Sequence, residues 1–146
     1  HRSALIREVH HRIENNLQGV AGILRRLARN QPNLAEPITD AISRLQGIAV
    51  VHGIQGPAAA GVALCELAKR IAENTEALWQ VPVRATIECD HRDCILAENE
   101  AVPMALVINE LLSNAAKHGE EGAPIEIAMR FDAEQAVGQV TVRNRG

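Results

Sequence analysis

Apolar residues fall at Leu5, Val9, Ile13, Leu17, Val20, Leu24 and Leu27, three and four positions apart. That spacing predicts one amphipathic helix over about residues 3–29. A turn is expected at Asn30-Gln31-Pro32-Asn33. A second helix follows from about Leu34 to Ile54, with Ile38, Ile42, Leu45, Ile48 and Ala49 as its stripe. Two amphipathic helices joined by a short turn make an antiparallel hairpin. Such a hairpin leaves apolar surface uncovered, and a second copy would complete a four-helix bundle.

The pattern changes after Gly53-Ile54-Gln55-Gly56-Pro57, which with the alanines up to Gly61 reads as a linker. Val62 to about Leu78 is a third amphipathic helix. Val83 to Glu88 alternates with period two and predicts a strand. Asp90 to Glu100 is a polar connection in which Cys94-Ile95-Leu96 fits either a short strand or a helix start. Val102 to His118 is a strong helix, with Pro103 near its first turn and Gly119 as its stop. Strands at Ile125–Phe131 and Val137–Arg143 complete an α+β second half, helices over a sheet.

Composition narrows the function. Of 146 residues 47% are apolar, but there is one Trp, one Phe and no Tyr, so a base-stacking nucleic-acid surface is not expected. Net charge is −3 with both signs interspersed, which gives no phosphate-backbone footprint. Arg25, Arg26 and Arg29 suit the end of the first helix, where cations complement its dipole. Cys65, Cys89 and Cys94 have no metal spacing and are odd in number, which favours reduced thiols and a cytoplasmic location. No apolar run approaches the ~20 residues of a membrane span, so no membrane contact is expected of this segment. The chain opens mid-pattern without a methionine and stops after Gly146, and it reads as a fragment of something longer.

Two constellations carry candidate chemistry. On the first helix, at about 100° per residue, His11 lies about 180° from the centre of the apolar stripe and His10 about 80°. Arg7, Glu8, Asn15 and Gln18 share the polar face with His11, which suits chemistry on an exposed ring nitrogen. Gly22 falls on that face with Gly19 beside it, either to admit another backbone or merely tolerated at about 1 kcal/mol each. On the fourth helix Glu110, Asn114 and Lys117 stand at i, i+4, i+7, within about 40° of one another. A carboxylate, an amide oxygen and an ammonium on one face suit a magnesium–polyphosphate ligand, and equally an ordinary solvated face. His52 reads as packing or a cap, His91 as solvated, and Trp79 as core. Arg130 and Arg143 read as the solvated face of strands.

The segment His10-His11-Arg12-Ile13-Glu14-Asn15-Asn16-Leu17-Gln18 resembles the phosphoacceptor box (HHRxxNNLQ) of one subfamily of bacterial sensor histidine kinases. Asn109-Glu110-Leu111-Leu112-Ser113-Asn114-Ala115-Ala116-Lys117-His118-Gly119 resembles the N box of the GHKL ATPase fold that these kinases use. Arg44 to His52 resembles the second helix of their dimerisation domain. The resemblance runs along essentially the whole chain, with both boxes in order about 90 residues apart.

The resemblance implies an α+β architecture. Residues 1–55 would be a dimerisation and phosphotransfer hairpin, 56–61 a linker, and 62–146 an ATP-binding GHKL-type α/β sandwich, incomplete at its C-terminal end. It implies His11 as phosphoacceptor, supported by His10, Arg12 and Asn15. Glu8, one turn back, would orient or deprotonate the ring, a role inferred from spacing. Glu110 matches the general base of GHKL ATPases or a group polarising the acceptor, Asn114 the magnesium ligand, and Lys117 a phosphate contact. His118 lies at the same helix end, where a cap is an equal reading.

Cofactors would be ATP and magnesium. Partners would be a second copy through the hairpin and a response-regulator receiver domain whose aspartate takes the phosphate. The pattern departs from the family at Val142-Arg143-Asn144-Arg145-Gly146, where Asp-x-Gly-x-Gly is expected. Asn144 would replace the aspartate that accepts from the adenine amino group, with Gly146 following, and the glycine-rich lid is missing from these residues. Weak or absent ATP binding by the fragment is the expectation. Two alternatives follow: a histidine phosphotransfer protein with a degenerate ATP domain, and a GHKL-type anti-sigma or scaffold protein that would not need His11.

Overall fold

A computed structural model describes residues 2–54, 61–88, 95–132 and 137–144. Helix α1 (Arg2–Asn30) and helix α2 (Ala35–Ile54) form the expected antiparallel hairpin. Between them a single 3₁₀ turn, Pro32–Leu34, carries proline at its start, where a missing N–H costs nothing. Gln31 N donates to Leu27 O and Leu34 N to Gln31 O, each at 2.9 Å, and these bonds close the turn.

The second half begins with β1 (Val62–Ala63), which pairs antiparallel with β3 (Ile95–Leu96). This pairing corrects the third helix, expected from Val62: α3 runs Leu64–Trp79, because the two residues before it are taken by the strand. It also decides Ile95-Leu96 in favour of a strand, and Cys94 lies outside the described residues. Gly61 is required here. Its φ is +82°, and a Cβ on it would overlap the Leu96 carbonyl.

Strand β2 (Val83–Glu88) lies parallel to β4 (Ile125–Asp132), and β4 lies antiparallel to β5 (Val137–Arg143), giving the order β2-β4-β5. Parallel neighbours need a crossover. That crossover includes β3 and helix α4 (Glu98–His118), which begins a turn earlier than Val102. Ala97 N donates to Glu100 Oε1 at 3.2 Å there, and Pro103 consequently falls inside the helix on its exposed side.

One core runs through the molecule. Val50 and Val51 of α2, Leu67 and Ile71 of α3, Ile108 and Leu112 of α4, and Ile125, Ile127 and Met129 of β4 are buried together. Glu126 and Arg130 alternate with the β4 core residues and are exposed. Helix α1 stands outside this core. Only Ala21 of its described side chains is fully buried, while Leu5 is 63% and Ile23 64% exposed. One neighbouring helix covers only part of a wide apolar stripe. Trp79, expected in the core, is half-buried. Among the described residues no helix is long and apolar enough to cross a membrane.

Candidate functional site

Helix α1 presents His11 to solvent and turns His10 to a half-buried position, the separation that the helical wheel gives. Asn15, one turn on, places its amide Nδ2 3.1 Å from His11 Nδ1. The amide and the imidazole pair in either of two ways, with the amide nitrogen donating to Nδ1 or the amide oxygen accepting from Nδ1–H. Glu8 does not reach His11. Its Oε1 accepts from Arg12 Nη2 at 3.1 Å, the favoured i, i+4 pairing of an acid and a base on an exposed helix face.

His10 faces α2. Its Nδ1 lies 2.7 Å from His52 Nδ1, with ring centroids 5.0 Å apart and planes inclined by 32°. From sequence His52 reads as packing or a cap, since a lone histidine in a helix carries no signal of its partner. Next to this pair Glu14 lays its carboxylate where a side chain on Gly53 would stand.

The α4 constellation has a different setting. Glu110 Oε1 accepts from Arg44 Nε of α2 at 2.7 Å, and Lys117 Nζ donates to Asp40 Oδ2 of α2 at 2.6 Å. The first pair is about half exposed, whereas Lys117 and Asp40 are 18% and 21% exposed. The Arg44 pKa is raised, first by its hydrogen bond to Glu110, then by that carboxylate's charge, with Asp40 adding to it. Between the two pairs Ser43 Oγ donates to Asn109 Oδ1 at 2.9 Å and lies 2.9 Å from Ser113 Oγ, all three being buried. Gly47 faces α4, and a Cβ there would stand in ordinary van der Waals contact, 3.7 Å from the Asn109 side chain. Asn109 Nδ2 is buried without a hydrogen-bond partner among the described residues.

Of Glu110, Asn114 and Lys117, Asn114 alone faces open solvent. Asn144, at the end of β5, donates from Nδ2 to Ala115 O at 3.2 Å, which brings the strand end against α4. Gly146 lies outside the described residues, as do Cys89, His91, Cys94 and residues 56–60 of the expected linker. A Cβ added at Gly19 or Gly22 would meet no described atom within 4 Å, so no described backbone of this chain uses their small size.

The two constellations are not together. His10 marks the level of His52 on α2, while Lys117 marks that of Asp40, about 18 Å away along the helix at 1.5 Å per residue. Sequence reasoning missed Asp40, Ser43, Arg44 and Gly47. Their i, i+3, i+4, i+7 spacing, a polar and small-residue stripe beside the apolar one, was the available signal.

Residues 8–79 match the family model described as histidine kinase. The chain is 34% identical over 147 aligned positions to the sensor histidine kinase PdtaS of Mycobacterium tuberculosis, with 97% of this chain and 27% of that protein covered. Identity to PdtaS of Mycolicibacterium smegmatis is 33% with the same coverage. The chain thus spans about a quarter of the length of these curated relatives. In fold it is similar to the histidine kinase domain of the blue-light activated histidine kinase EL346 of Erythrobacter litoralis. The TM-score is 0.60 at 13% identity, and 97% of this chain and 70% of that one are covered. The chain belongs to the histidine kinase family through residues 8–79, and along nearly its whole length it is similar to bacterial sensor histidine kinases.

Proposed function

We propose that this chain is the core of an ATP-dependent protein-histidine kinase that phosphorylates His11. The phosphoryl group then passes to an aspartate of a response-regulator receiver domain. The observation that carries the reading is His11 itself: exposed, on a rigid helix, with Asn15 at its Nδ1. With the amide oxygen accepting from Nδ1–H, the Nε2 lone pair is left toward solvent as the nucleophile. Attack there forms the N–P bond as the bond from the γ-phosphorus to the leaving ADP oxygen breaks. The Asn15 oxygen stabilises the Nδ1 proton while positive charge develops on the ring.

The ATP-binding half is read as a GHKL-type sandwich over residues 62–146, following a hairpin over 1–55. The exposed amide oxygen of Asn114 suits a hard cation, and Glu110 offers a carboxylate on the same helix. Among the described residues no group of three or more His, Cys, Asp or Glu is placed to hold a metal. Asn114 would therefore hold magnesium jointly with phosphate oxygens and water, as this ion commonly is held, and bound magnesium would neutralise phosphate charge. Lys117 would exchange Asp40 for a phosphate oxygen. Asn144, its Nδ2 engaged by Ala115 O, keeps its amide oxygen for the adenine amino group, and Gly146 would follow it.

A second copy would pair through α1, where Leu5, Ile6, Val9, Val20, Ile23 and Leu27 remain exposed. Light scattering tests this directly, and a monomer at micromolar concentration would remove the dimer from the account. The phosphotransfer protein is not favoured, because the named relatives are sensor histidine kinases.

The test uses the full-length protein with γ-labelled ATP and magnesium. Acid-labile, alkali-stable label that moves onto a receiver domain is expected. Acid-stable label, or no label under conditions where ATP binds, would contradict the reading.

A further inference from the structure

We propose that His52 is a positioning residue for His11. It holds the phosphoacceptor turn of α1 in a fixed rotation through its bond to His10. The inference rests on the reading of His11 as phosphoacceptor.

Helix α1 is weakly anchored by apolar packing at this level. Val9 is exposed, and Ile13 and Leu17 are only half-buried. Dispersion and burial are non-directional, and within one chain these three partly covered side chains set the helix's rotation less sharply than a directional bond does. The polar contacts are directional. His10 Nδ1 stands 2.7 Å from His52 Nδ1, and both rings are half-buried. One turn on, the Glu14 carboxylate fits against Gly53, a place that any side chain at 53 would fill. Both contacts join the same two turns of α1 and α2.

The geometry fixes the chemistry of the tie. Two Nδ1 atoms at this distance need one donor and one acceptor, so one ring carries Nδ1–H and the other a Nδ1 lone pair. His11 is the next residue to His10 and turns with it. Side-chain tips stand about 5–6 Å from the helix axis, so a rotation of about 20° moves them by about 2 Å. A misplacement of about 1 Å is enough to cost about 10²-fold in a reaction that depends on in-line approach. His52 touches no reacting atom; it acts through His10.

Two substitutions separate this role from simple packing. In His52→Asn the amide stands where Nδ1 stood and both donates and accepts. His52→Leu fills comparable space and does neither. On the full-length protein, His52→Leu is expected to lower kcat for His11 phosphorylation at least about tenfold and up to about 10²-fold, with KM for ATP changed less than about twofold. His52→Asn should keep at least half of the wild-type kcat. Imidazole ¹⁵N spectra give a readout independent of the kinase reaction. Wild type should show one Nδ1–H imidazole bonded to a second ring, and His52→Leu should lose it.

Equal kcat values for the Asn and Leu variants would overturn the proposal, whether both are normal or both are low. So would a wild-type spectrum without the bonded pair. Wild type that shows the pair but takes no phosphate on His11 would sink the underlying reading, and the positioning role with it. His52→Leu with normal kcat beside a phosphorylated wild type overturns the positioning role alone.

Discussion

The two polar constellations lie on helices of the same α+β fold, yet they meet opposite surroundings. On α1 the face of His11 is open, and its contacts are local: Asn15 to His11, and Arg12 to Glu8. On α4 the face of Glu110 and Lys117 is engaged by another element, through Arg44 and Asp40 of α2, with Ser43 bridging Asn109 and Ser113 between them. The first face contributes little to stability and is free for chemistry. The second contributes to packing, and a ligand for it has to displace protein charges. Residue types and helical spacing look alike in the two cases, and only tertiary placement separates them.

If that contrast holds, changes on α4 and on its α2 partners lower stability, while changes on the α1 face leave stability alone. The largest effect is expected on the core side of α4. Leu112→Ala should lose about 2–5 kcal/mol by chemical denaturation, because Leu112 is fully buried. Leu111→Ala, 43% exposed on the same helix, should lose less than about 1 kcal/mol. Equal losses would mean that α4 is not packed as described.

Ser43→Ala comes next. It removes the donor to Asn109 Oδ1 and the partner of Ser113 in a buried site, and about 1–3 kcal/mol should be lost. Full stability in this variant would show that the α2–α4 contact is dispensable. Asp40→Asn should cost about 1 kcal/mol, since the Lys117 pair is partly exposed and screened. It should also tighten ATP binding in calorimetry by freeing Lys117, and unchanged or weaker binding would count against competition between Asp40 and phosphate. Arg12→Ala is the smallest. Its pair with Glu8 is exposed on both sides, and the change should stay within about 0.5 kcal/mol in the same denaturation assay.

Much of this contrast is readable from the chain alone, and the limits have physical causes. Three- and four-residue periodicity places α1, α2, α3 and α4, because burying one stripe of a helix demands it. The same periodicity puts His11 opposite the apolar stripe, and His11 is exposed. The two-residue strands β1 and β3 are too short to show a period, so periodicity alone starts α3 two residues early. Gly61 acquires its meaning only from Leu96, which lies against it across the strand pair. Ser43 and Gly47 sit in α2 as a polar residue and a poor helix former, and nothing local reveals that α4 lies over them. His52 is unreadable for the same reason, because its partner is 42 residues away in the chain. Glu8 is close to His11 in sequence, but the better-placed cation at i+4 takes it.

The most direct measurement is to locate the phosphoryl group. Full-length wild type, His11→Gln and His10→Gln are incubated with γ-labelled ATP and magnesium, and acid-labile label is quantified. The account predicts label on wild type, label at a reduced rate on His10→Gln, and none on His11→Gln. Label that persists in His11→Gln, or that disappears only in His10→Gln, would contradict it.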